Sequence, residues 1–87
     1  MYVGAKSVKA LPDFRLLITF ENEEQRVFDV TPYLNKGMFR ELKSPSVFNS
    51  VRISFDAVEW VNGADLCPET LYDDSVPAEA EQIAAYR

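Results

Sequence analysis

Short runs in which apolar and polar residues alternate are the feature that most constrains the fold of this chain. In FRLLITF, at 14–20, every second residue is large and apolar. A period of two is typical of a β-strand that buries one face. The pattern returns in QRVFDV at 25–30, in VRISF at 51–55 and in VEWV at 58–61. These runs predict two antiparallel hairpins.

Turn-forming residues separate the runs. Pro12 and Asp13 predict a tight turn after a weakly patterned first strand at 2–10, and Asn22 and Asp56 favour turns inside the two hairpins. Two short helices are predicted, one with Thr31 as cap before Pro32 and one beginning at Pro68, with Asp65 or Cys67 as its cap. Ser44-Pro45 repeats the signal of a polar residue before proline and leads into a turn with Val47 and Phe48. The order of elements predicts an α+β fold: a small, mainly antiparallel sheet of about five strands with short helices.

The 87 residues are enough for a single domain, spanning 1–87, and 47% of them are hydrophobic. We expect 76–87 to form an acidic C-terminal tail that frays, because its apolar face is thin. No apolar run is long enough to span a bilayer, the start MYVGAKSVKA does not resemble a secretory signal, and one cysteine cannot form an internal disulfide. We therefore expect a cytoplasmic protein without membrane contact.

The net charge of -5 comes entirely from the C-terminal quarter of the chain. Residues 1–64 carry eight basic and eight acidic side chains, whereas 65–87 carry six acidic side chains and one basic one. An acidic segment repels phosphate backbones and attracts basic protein surfaces. The distribution of charge therefore favours a basic protein as a partner.

The composition argues against catalysis and against a cofactor. There is no histidine, and the three glycines stand too far apart to form a phosphate loop. Carboxylates near Cys67 would raise the pKa of its thiol, so we expect a structural cysteine. Asp65, Glu69 and Asp73 have a spacing that could bind a divalent cation, but they do not follow an EF-hand pattern. We therefore predict that the protein is not an enzyme and has no cofactor.

Direct binding to nucleic acid is not expected either. Arg15, Arg26 and Arg52 would form a basic sheet face if their strands were neighbours. The excess of acidic side chains and the absence of a helix-turn-helix pattern count against that role.

The stretch WVNGADLCPETLY, at 60–72, has two interpretations. Asn62-Gly63 predicts a chain reversal with positive φ, after which the segment folds over the core as a lid and Asp65 holds the turn through its carboxylate. Alternatively, Trp60, Asp65 and Tyr72 line a groove, since Trp and Tyr are favoured at interfaces.

An ordered series of residues resembles a known bacterial family. The pattern F-D-V-x-P-Y-L-x-x-G-x-F-x-x-L begins at Phe28 and ends at Leu42, and Trp60, Asn62-Gly63, Asp65-Leu66, Pro68-Glu69 and Leu71-Tyr72 follow. From about Val8 to Ser75 the chain resembles domain-of-unknown-function family 2442. It departs from the family in two turns, with Glu21-Asn22-Glu23 in place of an Asp-Gly turn and Ala57 in place of glycine or asparagine.

The resemblance implies a small α+β domain of short antiparallel strands and no established activity. Some members carry an appended helix-turn-helix domain, which we do not expect here. Members are also similar to small proteins encoded beside toxin-like partners, which implies antitoxin behaviour.

Our first hypothesis is a protein–protein interaction module, antitoxin-like toward a basic partner. Its predicted partner-binding residues are Trp60, Asp65, Tyr72, Asp73 and Asp74. The alternatives are a small-molecule or metal-binding domain with a site near Trp60, and a transcription-associated regulatory domain. A homodimer formed through the edge strand at 2–10 is a further expectation.

Overall fold

The structure, a computed structural model, describes residues 3–79, which form two antiparallel sheets and four short helices. The first sheet has the order β1 (Ala5–Leu11), β2 (Arg15–Phe20), β3 (Gln25–Asp29) and β7 (Val76–Pro77), and the second has β4 (Arg52–Ser54), β5 (Ala57–Glu59) and β6 (Asp65–Leu66). Two 3₁₀ helices (Thr31–Tyr33 and Gly37–Lys43), α1 (Pro45–Phe48) and α2 (Pro68–Asp73) lie between the strands. The α+β class and both hairpins are confirmed. The strands form two sheets rather than one, and two of them are only two residues long.

The β1–β2 turn differs from the predicted one by a short shift along the chain. Leu11 pairs with Arg15, so Phe14 belongs to the turn and not to the strand. Phe14 has a φ of 59°, and its ring packs edge-on against Phe48 with centroids 5.4 Å apart. Phe14 therefore combines a left-handed backbone conformation, which is uncommon for residues other than glycine, with packing of its ring on the core.

The two sheets are joined through the backbone at the start of β1. The N–H of Ala5 donates to the carbonyl of Asp56, with an N–O distance of 2.8 Å. A Cβ added to Gly4 would lie 2.8 Å from the Cγ of Asp56, so the approach requires a residue without a side chain. The tip of the β4–β5 hairpin is thereby held against β1.

Aromatic rings form the centre of the core. Phe39 packs on Trp60 at a centroid distance of 6.2 Å, and Trp60 lies 6.3 Å from Phe48. The indole of Trp60 is only 1% exposed, and its N–H donates to the carbonyl of Phe48 at 3.0 Å. Leu66 and Leu71 are buried in the same cluster. The segment at 60–72 therefore closes the core, as the lid interpretation predicts.

The first 3₁₀ helix is capped by a residue other than the predicted one. Val30 occupies the N-cap position, and the side chain of Thr31 makes no capping bond. The carboxylate of Asp29 instead accepts a hydrogen bond from the backbone N–H of Thr31 at 2.9 Å. The prediction of Thr31 as the cap was wrong because the helix begins at Thr31 itself, so that Val30 takes the N-cap position.

The described chain ends beside β3. Val76 and Pro77 pair with Val27 and Arg26, and the N–H of Ala78 donates to the carbonyl of Gln25. The rest of the predicted tail, from 80 onward, lies outside the described residues. Between residues 3 and 79, no helix has the length and apolar character needed to cross a bilayer.

Candidate functional site

Tyr72 joins helix α2 to the β2–β3 hairpin. Its ring packs edge-on against Phe20 with a centroid distance of 5.0 Å. The guanidinium carbon of Arg26 lies 4.7 Å from the centre of the same ring. Tyr72 is half-buried, so the contacts with Phe20 and Arg26 leave part of its side chain accessible.

Arg26 fastens the end of α2 to β3. Its Nε donates to the hydroxyl of Ser75 and its Nη2 to the carbonyl of Ser75, both at 2.7 Å. Arg26 pairs in register with Ile18, which is fully buried, so it lies on the core side of the sheet. Arg26 does not belong to an exposed basic face, because Ser75 binds its guanidinium on the core side of the sheet.

These contacts bring together two acidic segments that are far apart in the sequence. We call them the acidic face. It consists of the turn at 21–24, helix α2 and the residue after it, with the carboxylates Glu21, Glu23, Glu24, Glu69, Asp73 and Asp74. Lys6 pairs with Glu23 at 2.6 Å, and Arg26 lies 3.7 Å from Glu24. Six carboxylates and these two cations leave a net charge of −4.

Carboxylates of the acidic face contribute to a raised pKa in two tyrosines. A hydrogen bond with Glu24 raises the pKa of Tyr72, with burial adding to the effect. Burial raises the pKa of Tyr33, and the charge of Asp74 raises it further. Both phenols therefore stay protonated near neutral pH and remain hydrogen-bond donors. Asp74 also lies close enough to Tyr33 to link α2 with the first 3₁₀ helix.

Cys67 lies at the surface, at the N-cap of α2. Its sulfur is 3.1 Å from the hydroxyl oxygen of Thr70. Hydrogen bonds with Thr70 lower the pKa of the thiol and outweigh the opposing effects of burial and of the Glu69 charge. The expectation of a raised pKa was wrong because it counted the carboxylates and overlooked the hydroxyl three residues away.

The remaining predicted partner-binding residues differ in their exposure. Trp60 is buried in the core, whereas Asp65, Asp73 and Asp74 are exposed. Asp73 and Asp74 belong to the acidic face together with Tyr72. Asp65 lies on β6, at the rim of a separate cavity.

Asn62, and not Asp65, holds the turn before β6. Its Oδ1 accepts from the N–H of Ala64 at 3.1 Å. Its Nδ2 donates to the carbonyl of Met38 at 3.0 Å and to the carboxylate of Glu41 at 2.7 Å. The turn is thereby fixed to the second 3₁₀ helix.

A cavity of about 300 Å³ opens between this turn and the second 3₁₀ helix. Its lining residues are Lys36, Gly37, Met38, Phe39, Gly63, Ala64 and Asp65. A second cavity, of about 200 Å³, lies beside Asp13 and Phe14. Met38 and Phe39 were not predicted as site residues.

The arrangement does not favour a metal centre or a nucleic-acid face. No group of three metal-ligating side chains occurs among residues 3–79. Arg26 pairs with Ile18 and so lies on the same face as Ile18, whereas Arg15, three residues before Ile18 on β2, lies on the opposite face. Arg52 belongs to the second sheet, where it pairs with Glu59 at 2.9 Å. The three arginines therefore do not share a face.

Comparison with known proteins supports one assignment. A search of curated proteins and a search of solved structures each found no match. A family model described as "Protein of unknown function (DUF2442)" matches residues 5–77, which is most of the chain. The chain therefore belongs to the DUF2442 family of proteins of unknown function.

Proposed function

We propose that the protein is a protein–protein interaction module whose acidic face binds a basic partner. The observation that carries this proposal is the meeting of the turn at 21–24 with the end of α2. The sequence alone showed one acidic segment, and the fold adds the turn carboxylates to it. A surface that concentrates negative charge steers a positively charged protein into contact and speeds association.

The acidic face also offers an anchor. Tyr72 is already held between Phe20 and Arg26, so its side chain loses little conformational freedom when a partner contacts it. Tyrosine is enriched among residues that contribute most to binding energy. Asp73 and Asp74 follow Tyr72 along the chain and supply the charge. Trp60 acts indirectly, by packing the core beneath Phe39.

The finer parts of the proposal concern the partner and its setting. An antitoxin-like role, in which the partner is neutralised by being bound, agrees with an acidic face and with the family resemblance. We place this role in the cytoplasm. A homodimer formed through β1, an edge strand of the first sheet, stays a prediction that sedimentation velocity measures directly.

The experiment is an affinity purification from the host at low and at moderate salt, with co-purifying proteins identified by mass spectrometry. The tagged protein is compared with Asp73→Asn/Asp74→Asn and with Asp13→Asn/Glu41→Gln. Both double variants change the net charge by two. Asp13 lies in the turn between β1 and β2, at the end of β2 opposite to the turn at 21–24. Glutamine at position 41 keeps an oxygen that can accept the hydrogen bond from Asn62.

We expect a basic protein that is retained at low salt and released as salt rises. The Asp73→Asn/Asp74→Asn variant should weaken its affinity by roughly tenfold, or about 1.4 kcal/mol. The control should bind like the wild type. An empty purification at both salt concentrations, or equal weakening by both double variants, would contradict the proposal.

A small-molecule-binding domain is the second candidate, favoured by the cavity beside Asp65. Phe39 forms one wall of that cavity and packs on Trp60 from the other side, so the site lies near the predicted one. A transcription-associated regulatory role finds less support, because the three arginines do not share a face.

A further inference from the structure

The cavity beside Asp65 has an apolar interior. Met38 and Phe39 form its walls, and Ala64 contributes to its lining. Met38 is 51% exposed although it is a large apolar residue. A volume of about 300 Å³ lies at the small end of the range for ligand sites and suits one side chain better than a larger molecule.

Two glycines keep the cavity open. Gly37 has a φ of 49° and Gly63 a φ of 91°, a region that favours glycine. A Cβ at Gly63 would lie 3.3 Å from the terminal methyl carbon of Met38. Side chains at these positions would narrow the opening or strain the backbone.

The charges at the rim are not equivalent. The ammonium of Lys36 lies 5.7 Å from the centre of the Tyr33 ring, so it is already engaged in a cation–π contact. Asp65 is exposed, and none of the ion pairs among residues 3–79 includes it. The carboxylate of Asp65 is therefore the charge available to a ligand.

A series of contacts leads from the cavity to the acidic face. Lys36 contacts Tyr33, and Tyr33 lies beside Asp74 at the end of α2. On the other side, Asp65 is followed by Leu66 and then by Cys67, the N-cap of α2. The cavity and the end of α2 are therefore linked both through Tyr33 and along the chain from Asp65 to Cys67.

We infer that this cavity receives one apolar side chain from the basic partner, and that a neighbouring lysine or arginine of the same segment pairs with Asp65. This inference rests on the proposed function. It adds a recognition element to it: the partner segment combines an apolar residue with an adjacent cation, so the cavity selects among basic proteins that the acidic face alone would not distinguish.

The test uses three blocked dipeptides and the full-length, ¹⁵N-labelled protein. The probes are N-acetyl-leucyl-arginine amide, N-acetyl-leucyl-glutamate amide and N-acetyl-glycyl-arginine amide. Backbone amide shifts of Gly37, Gly63 and Asp65 report on the cavity. We expect saturable shifts with leucyl-arginine at millimolar concentration, and weaker binding of the other two probes.

Variants assign the contacts. Asp65→Asn should weaken binding of leucyl-arginine by about two- to fivefold, as for an exposed ion pair. Met38→Ser should weaken it through loss of an apolar wall. Asp13→Asn, a carboxylate beside the second cavity, serves as the matched control and should leave binding unchanged. Heteronuclear spectra of each variant verify that it is folded.

The outcomes separate this inference from the proposed function. If no cavity amide shifts with leucyl-arginine, or if leucyl-glutamate binds more tightly, the inference is wrong. If Asp73→Asn/Asp74→Asn releases a captured partner but leucyl-arginine shifts none of the cavity amides, only the cavity assignment fails. If leucyl-arginine binds in the cavity but no basic protein is captured, the proposed function fails and the pocket chemistry stands.

Discussion

Arg26 and Ser75 are joined by two hydrogen bonds of 2.7 Å, one to the hydroxyl and one to the carbonyl of the serine. The two residues are 49 positions apart, so this pair connects β3 to the end of α2. The hydroxyl of Ser75 also donates to the carbonyl of Tyr72, which extends the connection into the helix. The acidic face depends on this connection for its shape.

Replacement of Arg26 by lysine tests the connection. A single ammonium cannot reproduce the two-pronged geometry or lie flat on the Tyr72 ring. We expect Arg26→Lys to lower the free energy of unfolding by about 1–2 kcal/mol, measured by urea denaturation. Arg40→Lys is the control, because Arg40 is exposed and makes only a long bond of 3.4 Å to Gly37. Equal losses in both variants would show that Arg26 has no special role.

Asn62→Asp tests the turn before β6. Aspartate keeps the acceptor for Ala64 but cannot donate to Met38, and it places a second carboxylate beside Glu41. We expect the free energy of unfolding at neutral pH to fall by about 1–3 kcal/mol. Adding Glu41→Gln should restore part of it, because the amide can donate to the new carboxylate. If the double variant is no more stable than Asn62→Asp, repulsion between the carboxylates is not the cause.

Phe55→Asn tests the tip of the β4–β5 hairpin. Ser54 pairs with Ala57, so Phe55 and Asp56 form a two-residue turn with φ values of 50° and 68°. Such turns favour asparagine, and the Phe55 side chain is 98% exposed, so little packing is lost. We expect the midpoint of urea unfolding to rise, with a gain of about 0.5–1 kcal/mol. Phe55→Val, which is β-branched, should lower the midpoint instead.

The thiol of Cys67 should titrate below its ordinary pKa of 9.0. Since the folded-state pKa is depressed, the thiolate favours the folded state above pH 9, and this contribution disappears as the pH falls through the folded pKa. The rate of alkylation by iodoacetamide, measured against pH, gives the midpoint. Thr70→Val should move that midpoint upward, whereas Thr31→Val should not. A midpoint at or above 9 in the wild type would contradict the hydrogen-bond assignment.

The sequence predicted the hairpins well because alternation is a local signal. Leu16, Ile18 and Phe20 lie on the face of β2 that packs on the main core, as the pattern predicts, whereas Leu17 on the other face is buried in a small cluster and not exposed. Trp60 was assigned to the core by the lid interpretation, and the structure agrees. In these cases the residues that form the local pattern are also the residues that pack in the core.

The errors concern side chains whose role depends on distant residues. Arg26 looked like an exposed strand residue because its partner Ser75 lies far along the chain. The cavity could not be predicted, since it arises where Gly63 comes to face Met38, 25 positions away. The charges of residues 1–64 sum to zero, so the sequence did not group Glu24 with the carboxylates of α2; the hydrogen bond of Tyr72 with Glu24 connects the two segments.

The place where the chain closes on itself, at the contacts of Tyr72 and Ser75, carries carboxylates on both of the joined segments. A cationic ligand that binds both segments would hold them together. Anything that binds the native state and not the unfolded chain adds to stability by mass action. The free protein should therefore open at α2 and β7 more often than the complex does, and proteases would reach that end first. Abundance of the module would then follow the supply of its partner.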